Sequence, residues 1–370
     1  MRIRGAMAIH TGERPHTGGA GSKLPGVMPA LRKVAPQAGF ALQEIPLPQI
    51  GATDILIRVQ MAGICGTDLH IYEWDRWAQH RVHPPITVGH EFMGTVAALG
   101  AEVEGFTIDE RVSAEGHIAC GKCALCRTGE AHICNELRVI GVDRDGAFAH
   151  YIAMPQQNVW KLAATIPDQY AAVFDPLGNA VHSVMTAGVS GKTVLITGAG
   201  AIGLMAINVA RAAGAVSVFA VDVRPEKLEL AKRLGADEAF IAADPSWIEK
   251  LRSRTDGVGP DVLLEMSGSA AAIEQGLTAL RNGGHAALLG LPPEKIRLDV
   301  AELIIFKGVT LYGIHGRRMF ETWYQMQRMV KNRRIDLKPI ITHVLPLESF
   351  DEAFGLLKAG TAAKIILDLR

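Results

Sequence analysis

The amino-acid sequence predicts a two-domain α/β protein in which a small β-barrel or sandwich precedes a doubly wound parallel sheet. The chain has 370 residues, more than one compact core usually holds. Short β-type runs separated by Gly and Pro occupy residues 40–160, whereas strands and helices alternate from about residue 175. A Gly-rich turn also joins a strand to a helix at residues 198–203. We therefore expect two hydrophobic cores.

Changes in pattern along the chain set the predicted domain limits. Residues 1–27 are rich in Gly and Pro and lack apolar periodicity, so we expect a disordered extension. Residues 28–174 form the predicted β-domain, and residues 175–317 form the predicted nucleotide-binding domain. Residues 318–370 return to a mixed pattern and are expected to rejoin the first domain.

Individual elements follow from runs of apolar and β-branched residues. In the first domain, strands are predicted at residues 55–60, 87–100, 111–113 and 146–154. In the second domain, strands are predicted at 193–197, 216–222, 262–265 and 286–291, with helices at 201–213 and 224–234. The tail is predicted to contain helices at 320–331 and 349–358 and a strand at 364–369.

Charge and cysteine usage narrow the functional classes. Lys plus Arg and Asp plus Glu each total 38, so no overall field attracts nucleic acid or an anionic membrane. Apolar runs are shorter than the roughly 20 residues that a membrane helix needs. All five cysteines lie between Cys65 and Cys134, which favours metal ligation in a reducing, cytoplasmic compartment. We expect a small-molecule partner.

The turn at residues 198–203 is a candidate dinucleotide site. Gly198 permits a tight turn, Gly200 permits close approach of a pyrophosphate, and Gly203 permits close packing of helix on strand. The N-terminus of the following helix offers N–H donors to a phosphate. The alternative is an ordinary Gly-rich turn, but the flanking strand and helix favour the dinucleotide site.

The residue at the end of the next strand indicates which dinucleotide is bound. Asp222 lies where a carboxylate can accept hydrogen bonds from the adenosine ribose and repel a 2′-phosphate, so NAD is predicted. Arg224 and Lys227 lie nearby and could accommodate that phosphate, which keeps NADP as the alternative.

Four cysteines in one loop predict a structural zinc site. Cys120, Cys123, Cys126 and Cys134 can converge as a closed tetrahedral set of thiolates. The first three spacings also fit an iron–sulfur cluster, but the last gap is seven residues and no proline follows Cys134. Zinc is therefore favoured. An electron carrier or a binding module built on this loop remains the alternative from another functional class.

Three further runs are informative only in combination with these two sites. They are residues 63–70 (GICGTDLH), 89–94 (GHEFMG) and 174–179 (FDPLGN). With the dinucleotide turn and the four-cysteine loop, they resemble the zinc-containing medium-chain dehydrogenase family over residues 28–370. The resemblance implies a GroES-like β-barrel catalytic domain and a Rossmann coenzyme domain. It further implies a catalytic zinc bound by Cys65, His90 and Glu91, with an open position for a substrate hydroxyl.

The most specific runs, among them residues 114–134 and 316–324, resemble family members that oxidise the 3-hydroxyl of L-threonine with NAD. The implied chemistry is zinc-assisted alkoxide formation and hydride transfer, giving L-2-amino-3-oxobutanoate in threonine catabolism towards glycine. A polyol or butanediol dehydrogenase of the same family is the alternative. The family forms homotetramers, which the resemblance implies here.

The resemblance also implies roles for single residues. Thr67 and His70 would relay a proton to solvent, and Asp175 would either alternate with Glu91 as a ligand or act beside it. His117 would influence substrate choice, and Arg317 could pair with a carboxylate or the pyrophosphate. Trp74 and Trp77 either line the pocket or simply pack. Further cofactor contacts are implied for Ile202, Lys227, Leu289, Gly290, Leu291, Ile314 and His315.

Three positions depart from the family pattern. Lys227 stands where an arginine is usual, His315 where a tyrosine is usual, and Arg318 where a glutamate is usual. Lysine lacks the planar fork of arginine, so we expect a weaker grip on the cofactor at most. The extension at residues 1–27 has no counterpart in the family.

Overall fold

Two large sheets of different kinds organise the computed structural model, which describes residues 24–370. The strands are β1 (Val27–Lys33), β2 (Ala41–Pro46), β3 (Asp54–Gly63), β4 (Ile86–Thr87), β5 (Glu91–Leu99), β6 (Arg111–Ala114), β7 (His117–Ile118), β8 (Arg138–Val139), β9 (Tyr151–Pro155), β10 (Val159–Lys161), β11 (Thr193–Thr197), β12 (Ser217–Asp222), β13 (Glu238–Ile241), β14 (Val262–Glu265), β15 (His285–Leu288), β16 (Thr310–Gly313), β17 (Ile341–Pro346) and β18 (Lys364–Asp368). The helices are α1 (Gly66–Glu73), α2 (Arg76–Arg81), α3 (Ala124–Arg127), α4 (Asp168–Ala171), α5 (Phe174–Ala187), α6 (Ala201–Ala212), α7 (Pro225–Arg233), α8 (Trp247–Ser253), α9 (Ala270–Ala279), α10 (Glu321–Lys331) and α11 (Phe350–Ala359).

The first sheet is built around β3. Ile55, Ile57 and Val59 alternate into the core, as β-branched residues do on a pleated surface. Strand β3 pairs antiparallel with β5 on one side, and with β9 and then β18 on the other. Strand β18 is paired in turn with β17, so the C-terminal strands complete the sheet that the N-terminal half begins.

The second sheet is wholly parallel, with strand order β13-β12-β11-β14-β15-β16. The order reverses between β11 and β14, which is the point where such sheets bind dinucleotides. The predicted strands at 193–197 and 262–265 have the predicted limits. The predicted fold class, a β-barrel domain with a doubly wound parallel sheet, is confirmed.

Several local predictions were wrong. The predicted strand at 87–100 is divided into β4 and β5 because Gly89 adopts φ 89° and the ring of Phe148 occupies the space of a side chain there. The predicted strand at 146–154 begins only at Tyr151. The predicted strand at 286–291 ends at Leu288, because the N–H groups of Leu289 and Gly290 turn towards the carbonyl of Glu265.

Helices α1 to α5, α8 and α9 were not predicted. Helix α1 begins at a capping box in which the Asp68 carboxylate accepts a hydrogen bond from the Cys65 N–H at 2.9 Å. Helix α2 begins where Asp75 accepts from the Ala78 N–H at 3.0 Å. The polar first turns of α1 and α2 concealed the apolar periodicity on which helix prediction depends.

Hydrophobic cores lie on both sides of the sheets and between them. One cluster fills the first domain around Ile57, and another covers one face of the parallel sheet around Leu263. A third contains Met61 and Met93 of the first sheet together with residues of α5, α6 and β11, so it joins the two halves. The predicted extension lies outside the described residues up to residue 23, and β1 begins at Val27 rather than at residue 28. Within residues 24–370, no helix has the length and apolar character to cross a membrane.

Candidate functional site

The three predicted catalytic ligands meet in one pocket. Cys65 immediately precedes α1, His90 follows the Gly89 turn, and Glu91 opens β5 opposite Gly63 of β3. One ligand atom from each of Cys65, His90 and Glu91 lies within 4.8 Å of the others. His90 and Glu91 are buried, and Cys65 is half-buried. Antiparallel pairing of β3 with β5 therefore brings together ligands that are 25 residues apart in the sequence.

This pocket suits a cation. Oε2 of Glu91, Nδ1 of His90 and Oδ1 of Asp68 are buried and make no hydrogen bond within the described residues. Burial opposes protonation of His90, but Coulombic and hydrogen-bond interactions with Asp68 and Cys65 beside it raise the pKa of its imidazole well above the usual range. Sulfur, nitrogen and oxygen donors around an anionic pocket are the ligand set that zinc uses in catalytic sites.

Asp68 supports two of these ligands. One carboxylate oxygen accepts from the backbone N–H of Cys65, and the other lies 3.5 Å from Nδ1 of His90. This pairing leaves Nε2 of His90 for a metal, the arrangement in which a carboxylate orients a ligating imidazole. Sequence analysis missed this residue, although a helix-capping signal at residues 65–68 could have indicated it.

Glu91 is backed by a buried lysine. Nζ of Lys364, which opens β18, donates to Oε1 of Glu91 at 2.7 Å and to the carbonyl of Ile64 at 2.7 Å. Burial raises the pKa of Glu91, and the nearby Asp175 carboxylate adds to that rise while Lys364 opposes it. No sequence signal pointed to Lys364, which lies 273 residues from Glu91.

Asp175 is held by a second buried cation. Nη1 of Arg317 lies 2.5 Å from Oδ2 of Asp175, and the Nε–Nη2 edge of the guanidinium pairs with Glu115. Although burial opposes ionisation, Arg317 holds the pKa of Glu115 well below its usual range. Arg317 is 1% exposed, so the hypothesis that it meets a substrate carboxylate or the pyrophosphate is wrong. Its partners are carboxylates of this chain.

His117 and His315 lie side by side at this network. Nδ1 of His117 is 2.9 Å from Oε1 of Glu115, and the two imidazole rings are 5.7 Å apart. Burial, then the positive field of His117 and other basic neighbours, lowers the pKa of His315. The structure thus brings together the predicted substrate residue and a predicted cofactor residue.

The predicted relay residues lie on α1. Oγ1 of Thr67 is 3.9 Å from Sγ of Cys65, while Nδ1 of His70 is 2.5 Å from Oδ2 of Asp75. The imidazole of His70 is 50% exposed, so it connects the helix to solvent. Trp77 packs near His70, and Trp74 covers the Lys33 ammonium, so both indoles belong to the packing of this region.

The four-cysteine loop converges as predicted. Sγ of Cys123 is 3.5 Å from that of Cys126 and 3.8 Å from that of Cys134. A tetrahedron with zinc–sulfur bonds of about 2.3 Å has edges of roughly 3.8 Å. Hydrogen bonding from the backbone at Cys126 is the main cause that lowers the pKa of Cys123 to about 6, which favours a thiolate ligand. The four sulfur atoms therefore fit zinc.

The predicted dinucleotide residues lie at the carboxyl edge of the parallel sheet. A side chain at Gly203 would collide with the carbonyl of Gly198, whereas a side chain at Gly200 would meet nothing within 4 Å. Asp222, at the end of β12, accepts from the Ala199 N–H at 2.7 Å and from the Arg224 N–H at 2.9 Å. The glycine turn is thus packed closely on one side and open on the side where a pyrophosphate would lie.

The other predicted cofactor residues follow neighbouring strands at the same edge: Ile202 in α6, Lys227 in α7, Leu289, Gly290 and Leu291 after β15, and Ile314 and His315 after β16. Glu265, which sequence analysis missed, ends β14 among them. Its buried carboxylate accepts from the N–H groups of Ser267 at 2.8 Å and Gly268 at 3.1 Å, which fixes the loop against Gly198.

The Arg224 guanidinium is held at the end of a helix. Its Nη1 donates to the carbonyl of Ala359 at 2.8 Å, at the C-terminus of α11. A cation at that helix end is favourable because of the helix dipole. Arg224 therefore has a partner other than a ribose phosphate.

Comparisons with known proteins agree with this geometry. A family model described as alcohol dehydrogenase GroES-like domain matches residues 51–167, and one described as zinc-binding dehydrogenase matches residues 201–332. The chain is 47% identical to an L-threonine 3-dehydrogenase of Symbiobacterium thermophilum, over 92% of this chain and 97% of the relative. It is 45% identical to an L-threonine 3-dehydrogenase of Pyrococcus horikoshii, over 93% and 99%.

Solved structures share the whole fold. A putative zinc-binding dehydrogenase from Sinorhizobium meliloti bound to NADP superposes with a TM-score of 0.86 at 27% identity, covering 93% of this chain and 100% of that one. A short chain alcohol dehydrogenase from Escherichia coli CFT073 complexed with NADH gives 0.86 at 26% identity, with the same coverage.

Proposed function

Because the chain belongs to the zinc-binding dehydrogenases with an alcohol dehydrogenase GroES-like domain, and within them to the L-threonine 3-dehydrogenases, we propose that it oxidises L-threonine with NAD to L-2-amino-3-oxobutanoate. The observation that carries the proposal is the convergence of one ligand atom each from Cys65, His90 and Glu91, of which His90 and Glu91 are buried. The identity to curated threonine dehydrogenases favours threonine over the polyols and butanediol of our alternative.

The proposed roles at the reacting centre follow from the contacts. Cys65, His90 and Glu91 hold the catalytic zinc, and Asp68 orients the imidazole of His90. Zinc bound there would lower the pKa of a substrate hydroxyl, and a nicotinamide bound at the sheet edge would supply the acceptor for the hydride on the carbon that carries that hydroxyl. Asp175, paired with Arg317, acts beside the metal as an oriented carboxylate.

The proton of the substrate hydroxyl has to leave a closed site. We assign its path to Thr67 and His70, because Thr67 lies beside a zinc ligand and His70 reaches solvent. Asp75 fixes the orientation of the His70 ring. His117, next to His315, is placed to contact the substrate near the nicotinamide.

NAD is the proposed cofactor within the NAD(P) class. Asp222 presents a carboxylate at the end of β12, where it disfavours a 2′-phosphate, and Arg224 is bound to Ala359. The remaining contacts are assigned to Gly198, Gly200, Ile202, Gly203, Lys227, Leu289, Gly290, Leu291, Ile314 and His315.

A second zinc, which has no open position, is proposed for Cys120, Cys123, Cys126 and Cys134. All four ligands are thiolates, so this metal braces a lobe and performs no chemistry. We propose two zinc ions per chain.

We also propose the limits of the two domains. The catalytic domain comprises residues 28–174 and 318–370, and the coenzyme domain comprises residues 175–317. Return of β18 to β3 supports these limits.

A homotetramer in the cytoplasm is the proposed assembly and compartment. Strand β16 is paired only with β15 among the described residues, so one edge of the sheet is unpaired there. Ile305 and Phe306 beside it are 65% and 73% exposed. An unpaired edge with exposed apolar residues is a surface that a second copy can cover.

A steady-state assay tests the activity. We expect kcat/KM for L-threonine to exceed that for sorbitol and for 2,3-butanediol, because those substrates lack the ammonium and carboxylate of an amino acid. We expect NAD to support faster turnover than NADP. A higher kcat/KM for either polyol would contradict the threonine assignment, and preference for NADP would contradict the role of Asp222.

A further inference from the structure

A fully buried lysine lies behind the predicted zinc ligand Glu91. Lys364 is 2% exposed and Glu91 is 1% exposed. The Lys364 ammonium donates to Oε1 of Glu91 at 2.7 Å and lies 2.5 Å from Oε2, but only the contact with Oε1 has hydrogen-bond geometry. The ammonium thus contacts both oxygens of the Glu91 carboxylate and restricts its orientation.

The same ammonium also fixes the segment that carries Cys65. Its other hydrogen bond goes to the carbonyl of Ile64, the residue before Cys65, at 2.7 Å. Backbone pairing of β18 with β3 holds Lys364 beside this segment, since Ile366 lies opposite Gly63. One side chain therefore joins two of the three ligand-bearing segments.

The packing around this ion pair leaves little freedom. A side chain at Gly63 would collide with Oε2 of Glu91 and would approach Cε of Lys364 to 3.2 Å. Burial of an ion pair is costly unless its geometry and hydrogen bonds are good, so structural stability alone is a weak reason for it. A ligating carboxylate, by contrast, requires a hydrogen-bond partner that sets its orientation.

We propose that Lys364 is a positioning residue for the catalytic zinc: by binding the Glu91 carboxylate, it fixes the orientation of that carboxylate beside Cys65 and His90, with which it would share the metal. The inference rests on the proposed function, because it requires zinc at that cluster. Lys364 touches neither substrate nor metal in this role. It acts through the orientation of Glu91 and the position of Ile64.

The test is the zinc affinity of the full-length protein in which Lys364→Met removes the ammonium. Competition with a chromogenic chelator gives the dissociation constant for zinc. The binding step that disappears from the titration of Cys65→Ser belongs to the catalytic site. We expect zinc binding at this site to weaken by about 10–100-fold, the usual effect of losing such a partner. The four-cysteine site should keep its affinity.

Two controls separate positioning from general destabilisation. Lys33 is another fully buried lysine, held by the carbonyls of Gln37 and Gly39, so Lys33→Met should lower thermal stability without changing zinc affinity. In a Glu91→Gln background, Lys364→Met should cause little further loss of zinc, because both changes remove one interaction. If Lys364→Met does not fold, Lys364→Gln replaces it with the same expected loss.

The outcomes are distinct. If the wild type binds zinc only at the four-cysteine loop, the proposed catalytic zinc fails, and this inference with it. If the wild type binds two zinc ions and Lys364→Met leaves the affinity unchanged or tighter, only the inference is overturned. An equal loss of affinity in the Glu91→Gln background would also overturn it.

Discussion

Several residues around the site carry buried charges, and each of these charges is paired with an opposite charge from a distant part of the chain. Lys364 pairs with Glu91, and Arg317 pairs with both Asp175 and Glu115. An unpaired charge would cost several kcal/mol in such surroundings. Removal of one member of a pair therefore destabilises the protein, because the other charge stays buried without a partner. The two carboxylates nearest the proposed zinc, those of Glu91 and Asp175, are thus each held in place by a buried cation.

The two proposed zinc sites should respond differently to loss of one cysteine. In Cys65→Ser, we expect zinc to fall from two ions per chain to one, and turnover to fall by at least about 100-fold, because zinc contributes several kcal/mol to the reaction. The thermal midpoint should change little. Metal analysis, the threonine assay and thermal unfolding measure these effects.

The matched variant is Cys123→Ser, which removes a ligand of the closed site. Metal binding there is coupled to folding of the lobe, so we expect a clear fall in thermal midpoint together with loss of one zinc. Full turnover in Cys65→Ser would contradict the assigned chemistry.

At the scale of secondary-structure elements, Arg317 links three of them. Its guanidinium contacts Glu115 after β6 and Asp175 in α5, and Trp323 of α10 donates to Glu115 at 2.8 Å. The Arg317 stem lies against Gly178 of α5, where a larger side chain would collide with it. This contact fixes the start of α5, and with it Asp175, relative to the first sheet.

Replacement of Glu115 by Gln should therefore loosen the junction of these elements. Breaking a buried ion pair costs about 3–5 kcal/mol, equivalent to a fall of roughly 6–20 °C in thermal midpoint at about 2–4 °C per kcal/mol. Thermal unfolding at pH 7 measures this change. The pair of Glu110 with Lys161 is partly exposed, so Glu110→Gln should change stability by only about 0–1 kcal/mol.

The effect of Glu115 should depend on pH in a defined direction. Its pKa is lower in the folded protein than its usual value of 4.5, so its contribution is complete above that value and is lost as the pH falls below it. The difference in midpoint between wild type and Glu115→Gln should accordingly shrink below pH 4.5. A difference that stays constant down to strongly acidic pH would contradict the ion-pair assignment.

At the scale of the whole molecule, the parallel sheet has one edge at β16. Strand β16 and the segment before it carry the exposed Phe306 and Ile305, and Leu311 within the strand is 38% exposed. Surfaces of this kind bind another copy or aggregate. The proposed tetramer provides the reason for this exposure.

A charge at this edge should disrupt assembly. We expect Phe306→Glu to give a species smaller than the wild type by size-exclusion chromatography with light scattering, because a carboxylate would be desolvated at the interface. Val258 is 59% exposed in the loop between α8 and β14, and Val258→Glu should leave the mass unchanged. A monomeric wild type, or an unchanged mass in Phe306→Glu, would contradict the proposed interface.

Local patterns in the sequence were sufficient for the parallel sheet, the glycine turn and the four-cysteine loop. These features are contiguous, and their spacing alone carries their geometry. Cys65, His90 and Glu91 could be chosen only through resemblance to a family, since no spacing rule joins them. The divided strand at Gly89 was missed because the positive φ of this glycine, and the Phe148 ring packed beside it from 59 residues further on, appear only in the folded chain.

The sequence by itself therefore determined the fold class, the glycine turn of the dinucleotide-binding sheet and the four-cysteine loop, because each depends on neighbours in the chain. Only the tertiary structure decided what surrounds the catalytic cluster: Lys364 behind Glu91, Arg317 between Glu115 and Asp175, and Arg224 at the end of α11. The physical reason is that buried charges are compensated through space. Their partners lie on strands and helices that meet only after the chain has folded.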